Sequence, residues 1–146
     1  MPSLTTLLAQ ADALRFKLLA IVGKDEEKKK SIIDLLCNEN WTLVDVEKEL
    51  MQLRKQIDSS SQEIDIEIAT QIKEWFLAKP NYLILVNASI LYHDLFLKTS
   101  PIGAFKYNSR NKNCVIFLEN ESKLGKRLYY GEMGKEGYYD REINDI

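Results

Sequence analysis

The chain is poor in the residues that small proteins use for covalent or metal-based chemistry, with 2 cysteines and 1 histidine among 146 residues. Cys37 and Cys114 are too few for a disulfide framework and lack C-x-x-C spacing, which fits reduced thiols packed in a core. A single histidine, His93, excludes a His-based metal cluster, so no metal site is expected. A Ser-His-Asp arrangement would rest on that one residue, set in Tyr92-His93-Asp94-Leu95-Phe96, and the expected role is a packed or half-exposed helix histidine. No apolar run approaches a membrane span, and Met1-Pro2-Ser3-Leu4-Thr5-Thr6 lacks the basic flank and apolar stretch of a signal peptide. A cytoplasmic protein with no membrane partner is expected. Charge of one sign is missing too: 20 basic against 22 acidic residues give a net charge of −2 and exclude the footprint of a dedicated nucleic-acid binder. What is present, 45% hydrophobic and 29% charged residues, composes one ordinary globular domain. A chain of this length buries about two-thirds of its unfolded surface.

The apolar pattern alternates between helix and strand periods. Leu4, Leu7, Leu8, Ala11 and Leu14 share a helical face, with Ser3 or Thr5 as N-cap, leading into a strand over residues 16–22. A helix over about 27–36 follows. A strand over 41–44 and a helix beginning at Asp45 through Val46, Leu50, Leu53 and Ile57 come next. The loop 58–62 precedes a helix carrying Ile64, Ile68, Ile72, Trp75 and Phe76, stopped by Lys79-Pro80-Asn81. Residues 82–87 form a strand that is apolar throughout and therefore central in a sheet covered on both faces. Cys114-Val115-Ile116-Phe117-Leu118 is a fourth strand. This order defines an α/β fold with a mainly parallel sheet flanked by helices, as one domain over 1–146.

The expected ligand position is the carboxyl edge of the sheet, at Gly23, Asp45, Asn87 and Glu119-Asn120. The order strand, Gly23, loop, Lys-Ser, helix is that of a phosphate-binding loop, but a degenerate one. The pattern G-x-x-x-x-G-K-[ST] needs a second glycine before its lysine, whereas Gly23 is followed by Lys24-Asp25-Glu26-Glu27-Lys28-Lys29-Lys30-Ser31. Glycines let consecutive N–H groups turn toward phosphate oxygens. Here three carboxylates occupy that stretch, and one carboxylate about 4 Å from a phosphate oxygen costs roughly 1 to 4 kcal/mol at surface-like dielectric. The plainer reading is a solvated first turn of a helix with acids toward its N-terminus. The other is a vestigial cradle made by Gly23, Lys29, Lys30 and Ser31. The tip of the third strand, Val86-Asn87-Ala88-Ser89, also lacks the carboxylate that would hold magnesium for hydrolysis. Asp94 is expected at the surface of a helix.

Two further segments stand out. Lys106-Tyr107-Asn108-Ser109-Arg110-Asn111-Lys112-Asn113 mixes cations and amides in a manner compatible with phosphate contacts, Arg110 being the candidate phosphate-sensing side chain, and is equally the loop before a buried strand. The Tyr-rich segment at about 127–146 reads as a strand and turn over Lys126 to Gly134, then an irregular charged and aromatic stretch. Tyr129, Tyr130, Tyr138, Tyr139 and Arg141 there are candidate partner-binding residues or a sheet edge on the core, since tyrosine and arginine are enriched at binding hot spots.

In order and spacing these features resemble the small P-loop protein of type 3 BREX phage-defence systems, the BrxF-like family. The resemblance runs through Ala13-Leu14-Arg15-Phe16-Lys17-Leu18, the Val22-Gly23 loop, Leu83-Ile84-Leu85-Val86-Asn87 with Ile90-Leu91-Tyr92, Ser109-Arg110-Asn111-Lys112, Leu128-Tyr129-Tyr130 and the Gly134-to-Tyr138 ending. It implies a P-loop NTPase-like fold and the other subunits of a defence complex as partners, with DNA contacted only through the assembly. Intact members carry the second glycine with Lys-Thr or Lys-Ser, and an Asp where this chain has Val86. Both are replaced here. A non-catalytic scaffold or regulator with no cofactor is therefore favoured. The alternative is an ATP-binding switch or weak ATPase, ATP with magnesium being held by Lys29 or Lys30 and Ser31. The sequence does not specify self-association.

Overall fold

A computed structural model describes residues 6, 8, 9, 16–135 and 138–142 of the chain. The leader helix expected over 4–14 lies largely outside these residues. The first sheet has the order β1-β4-β3-β2, with β1 Leu18–Val22, β2 Thr42–Asp45, β3 Leu83–Val86 and β4 Cys114–Leu118, all parallel. Helix α1, Glu26–Asn38, joins β1 to β2; α2, Val46–Lys55, and α3, Ile64–Ala78, join β2 to β3. The return from β3 to β4 runs through 3-10 turns at Ala88–Tyr92 and Asp94–Phe96, the short helix α4, Pro101–Phe105, and a last 3-10 turn at Tyr107–Ser109. The chain is thus an α/β protein with a four-stranded parallel sheet flanked by helices.

The chain crosses the sheet once outward, from β1 to β2, and returns strand by strand to β4. Right-handed crossovers in opposite directions put their helices on opposite faces. Burial follows that division. Ile84, Val86, Val115 and Phe117 pack with Leu36, Ile32 and Ile33 of α1 and with Trp41. Leu83, Leu85, Cys114, Ile116 and Leu118 meet Val46 and Leu50 of α2, Ile68, Ile72 and Phe76 of α3, Leu91, Phe96 and Phe105. Every residue of β3 and β4 is buried, as their unbroken apolar runs require.

After β4 the chain leaves this sheet and forms a second, antiparallel one from β5 Glu121–Leu124, β6 Arg127–Tyr130 and β7 Tyr139–Glu142, in the order β5-β6-β7. The tyrosines Tyr129 and Tyr130 therefore lie in a middle strand and not on an edge. Leu128 anchors this sheet by reaching the larger core. Two cysteines and a histidine also differ in part from expectation. Cys114 is buried, but Cys37 is exposed, because it follows Leu36 on α1 and turns off the face that Leu36 buries. His93 is exposed and sits between two 3-10 turns, where its Nδ1 accepts a hydrogen bond from the Leu95 amide at 3.1 Å. Asp94 is exposed as expected and pairs with Lys98 at 3.3 Å.

Helix α3 has no basic residue in its last turn, so its terminal carbonyls need donors from elsewhere. Lys112 supplies them. It is 7% exposed, and its Nζ donates to Phe76 O at 2.8 Å, to Leu77 O at 3.2 Å and to Lys79 O. The ammonium also complements the negative end of the helix dipole. Lys112→Met retains the stem and removes every donor, and it is expected to destabilise the fold by about 2 to 3 kcal/mol in urea unfolding, the cost of leaving buried acceptors without a charged donor.

Candidate functional site

The loop after β1 is shorter than a phosphate cradle. Between Val22 and Glu26 stand only Gly23, Lys24 and Asp25. Gly23 has φ +130°, a conformation that needs glycine, and its amide donates to Leu118 O at 3.2 Å, tying the loop to the end of β4. Asp25 is the N-cap of α1 and accepts from the Lys28 amide at 3.0 Å. An aspartate in this position satisfies an orphan N–H and places a negative charge at the positive end of the helix. The end of the helix that would meet a phosphate is thus met by the chain's own carboxylate.

Lys29, Lys30 and Ser31 consequently lie within α1, one turn and more past its start. Lys30 and Ser31 are exposed, while the Lys29 side chain is only 19% exposed. Its Nζ lies 2.9 Å from Glu119 Oε2, across the end of β4. Glu119 is 8% exposed, and both its oxygens also accept from the Asn87 amide, at 3.2 and 3.0 Å. Asn87, immediately after β3, has φ 58° and ψ 36°, the left-handed region that asparagine tolerates best among side-chain-bearing residues. Three of the four edge positions read from the sequence are therefore brought together: Gly23 and Asn87 flank the Glu119 turn, and Asn120 Nδ2 reaches Ser89 Oγ at 3.4 Å. The fourth, Asp45, is the N-cap of α2 and accepts from the Lys48 amide at 3.1 Å.

The basic segment before β4 is not part of this edge. Arg110 precedes β4 and so lies at the amino end of the parallel sheet, opposite the end where Gly23 stands, and its guanidinium sits over the Phe16 ring at 5.6 Å. A phosphate-sensing role toward the Gly23 loop is ruled out by that placement. Of the candidate partner residues, Tyr130 is a packing residue whose ring stacks on Tyr92 at 4.5 Å. Tyr129 and Tyr138 are half-buried with ring centroids 6.4 Å apart. Tyr139 and Arg141 belong to β7 by backbone, and their side chains lie outside the description.

One titratable group at this edge carried almost no signal in the sequence. Glu121, the first residue of β5, is 2% exposed, and its Oε1 accepts from the Tyr92 hydroxyl at 3.0 Å. Its Oε2 is buried, with no hydrogen-bond partner among the described residues. Burial pushes its carboxyl up to about 7, against the hydrogen bond from Tyr92 and with help from the neighbouring Glu119 charge. Only the run Glu119-Asn120-Glu121 directly after five buried residues hints at a buried acid, and sequence reasoning normally assigns such a run to a solvated turn. Among the described residues no group of three or more His, Cys, Asp or Glu is placed to hold a metal ion, and no helix is long and apolar enough to cross a membrane.

No protein-family model, no curated protein and no solved structure matches the chain.

The Lys29–Glu119 pair sets one expectation. Removing the lysine leaves a largely buried carboxylate on a single amide, so Lys29→Ala should cost about 1 to 3 kcal/mol in urea unfolding. The double variant Lys29→Met/Glu119→Gln should cost less than the sum of its singles by about 1 kcal/mol or more, because the singles share one interaction. A second expectation concerns pH. Glu121 binds its proton more tightly in the folded chain than its ordinary value of 4.5 allows, so its contribution is fully present below that value. That contribution falls away as pH rises through about 7. Urea unfolding should show about 1 to 3 kcal/mol lost across this window. Glu121→Gln should flatten that loss and make the protein more stable than the parent above pH about 8.

Proposed function

We propose that this chain is a non-catalytic, degenerate P-loop NTPase-like domain that serves as scaffold or regulator in a multi-protein bacterial anti-phage defence complex of the BREX type. The observation that carries the reading is the Lys29–Glu119 ion pair at 2.9 Å, reinforced by the Asn87 amide. The order of strand, Gly23, loop and Lys-Ser helix supports a P-loop ancestry, and the ion pair uses the lysine of that order for holding the fold. Asp25 on the helix N-terminus acts in the same direction, since it repels the polyanion that such a loop would bind. With the cradle closed by the chain's own anions, function moves to surfaces. The partners are other subunits of the complex, met through the second sheet with Tyr129, Tyr138, Tyr139 and Arg141, and DNA is contacted only through the assembly.

The competing reading, an ATP-binding switch or weak ATPase using Lys29 or Lys30 and Ser31 with magnesium, requires the Lys29–Glu119 pair to open before a phosphate can enter. Thermal unfolding with and without millimolar ATP and magnesium separates the two. A ligand bound only by the folded state at 100 times its dissociation constant adds roughly 2.7 kcal/mol, which is several degrees for a domain of this size. No shift is expected. A shift of several degrees that a Lys29→Ala/Lys30→Ala/Ser31→Ala variant loses would replace the scaffold reading with the switch. Co-expression with the proteins encoded beside it then tests the assembly: the tagged chain should co-purify with at least one of them in stoichiometric amount.

A further inference from the structure

We propose that Glu121 is a proton-operated latch between the two sheets: neutral, it holds the antiparallel sheet on the parallel one, and ionised, it lets that sheet open away from the Tyr92 turn. The placement of the group is the first argument. β5 begins at Glu121, with only Glu119 and Asn120 between it and the end of β4, so the carboxyl sits at the joint where the chain passes from one sheet to the other. Leu128 enters the core, the Tyr130 ring stacks on Tyr92, and the Tyr92 hydroxyl donates to Glu121 Oε1 at 3.0 Å. Tyr92 thus grips β6 by its ring and β5 by its hydroxyl.

The second argument is the unmet demand of the carboxyl. Oε2 is buried without a partner among the described residues, and a buried unpaired acceptor is tolerated far better on a neutral acid than on a carboxylate. Among the described residues, the groups facing it offer no compensation for a charge. From the turn after β4 comes the Glu119 carboxylate, a like charge. The cation nearest in the network, Lys29 of α1, is already bonded to Glu119 Oε2. Opposite Glu121 in β6 is Tyr130, from the turn after β3 comes only the Tyr92 hydroxyl, and β1, which packs against β5, is Leu-Leu-Ala-Ile-Val. Among the described residues no cation is bonded to Glu121. Ionisation therefore sets a second negative charge beside Glu119 in a buried joint, and the cheapest relief is to hydrate Glu121 by parting the sheets, since β3 and β4 make no use of it. Opening uncovers Leu128 and the facing rings of Tyr92 and Tyr130.

Hydrogen exchange of the full chain, with labelling times scaled to the intrinsic rate, tests this at pH about 6 and about 8. With a docked value of about 7 and an open value of 4.5, the opening constant of the second sheet should rise about tenfold between the two conditions. Protection of residues 121–130 should fall by that factor while β3 and β4 keep theirs. Glu121→Gln should abolish the pH dependence, and Tyr92→Phe, which keeps the ring and loses the donor, should retain it. Equal protection at both pH values, an equal loss in the parallel sheet, or an unchanged loss in Glu121→Gln would each overturn the latch. Should Glu121→Gln fail to fold, a carbon-13 titration of the parent's Glu121 carboxyl decides: its midpoint must lie near 7, where the loss of protection levels off, and a midpoint near 4.5 would overturn the proposal.

Discussion

The constraint on which this molecule depends is the burial of β4 on both faces. Cys114, Ile116 and Leu118 belong to one core and Val115 and Phe117 to the other, so the strand is the wall shared by two hydrophobic clusters. Such a strand accepts no polar side chain along its length. The first polar residue after it, Glu119, emerges where the strand leaves the sheet, between the ends of β1 and β3. It is still largely enclosed there, and a carboxylate so placed needs donors. Lys29 from α1 and the amide of Asn87 provide them, and the left-handed turn at Asn87 aims that amide. The polar cluster at the carboxyl edge is in this sense a by-product of how thoroughly the strand before it is buried.

The same geometry explains why the edge resembles a ligand site while being engaged by the chain itself. In open α/β sheets the connections at this edge diverge to opposite faces and leave a crevice. Here α1 leaves β1 toward one face and the 3-10 turns leave β3 toward the other, and the crevice lies over the end of β4. Lys29 and Glu119 pair there at 2.9 Å. Asp25, which a phosphate would find repulsive, is well suited to its place as a helix cap. Asp25 and Glu119 thus each have a structural reason to be where they are, and each works against a polyanion.

Basic residues divide between two roles that their clustering in sequence does not separate. Lys112 and Arg110 are two positions apart, yet one is buried under the end of α3 and the other lies over Phe16 at the amino end of the sheet. Lys29 and Lys30 are adjacent, yet only the first turns inward. Helical spacing decides that pair, and a neighbouring helix with no basic residue in its last turn decides the fate of Lys112.

The sequence by itself determined the parallel sheet and its helices, because those elements rest on local periodicity and on unbroken apolar runs. β3 and β4 are legible as central strands since every residue in them is apolar, and Asp25 and Asp45 mark helix starts because a short carboxylate caps an N-terminus locally. The Gly23, Asn87 and Glu119 positions of the edge were legible for the same reason, as the ends of those strands. Only the tertiary structure decided the second sheet, whose strands β5 and β7 are short and polar: β5 buries a single residue, Glu121, so no alternation announces it. It alone also decided that Lys29 meets Glu119 and that Tyr92 grips Glu121. Those partners stand 90 and 29 residues apart, and no local pattern encodes a contact made by two elements that packing brings together.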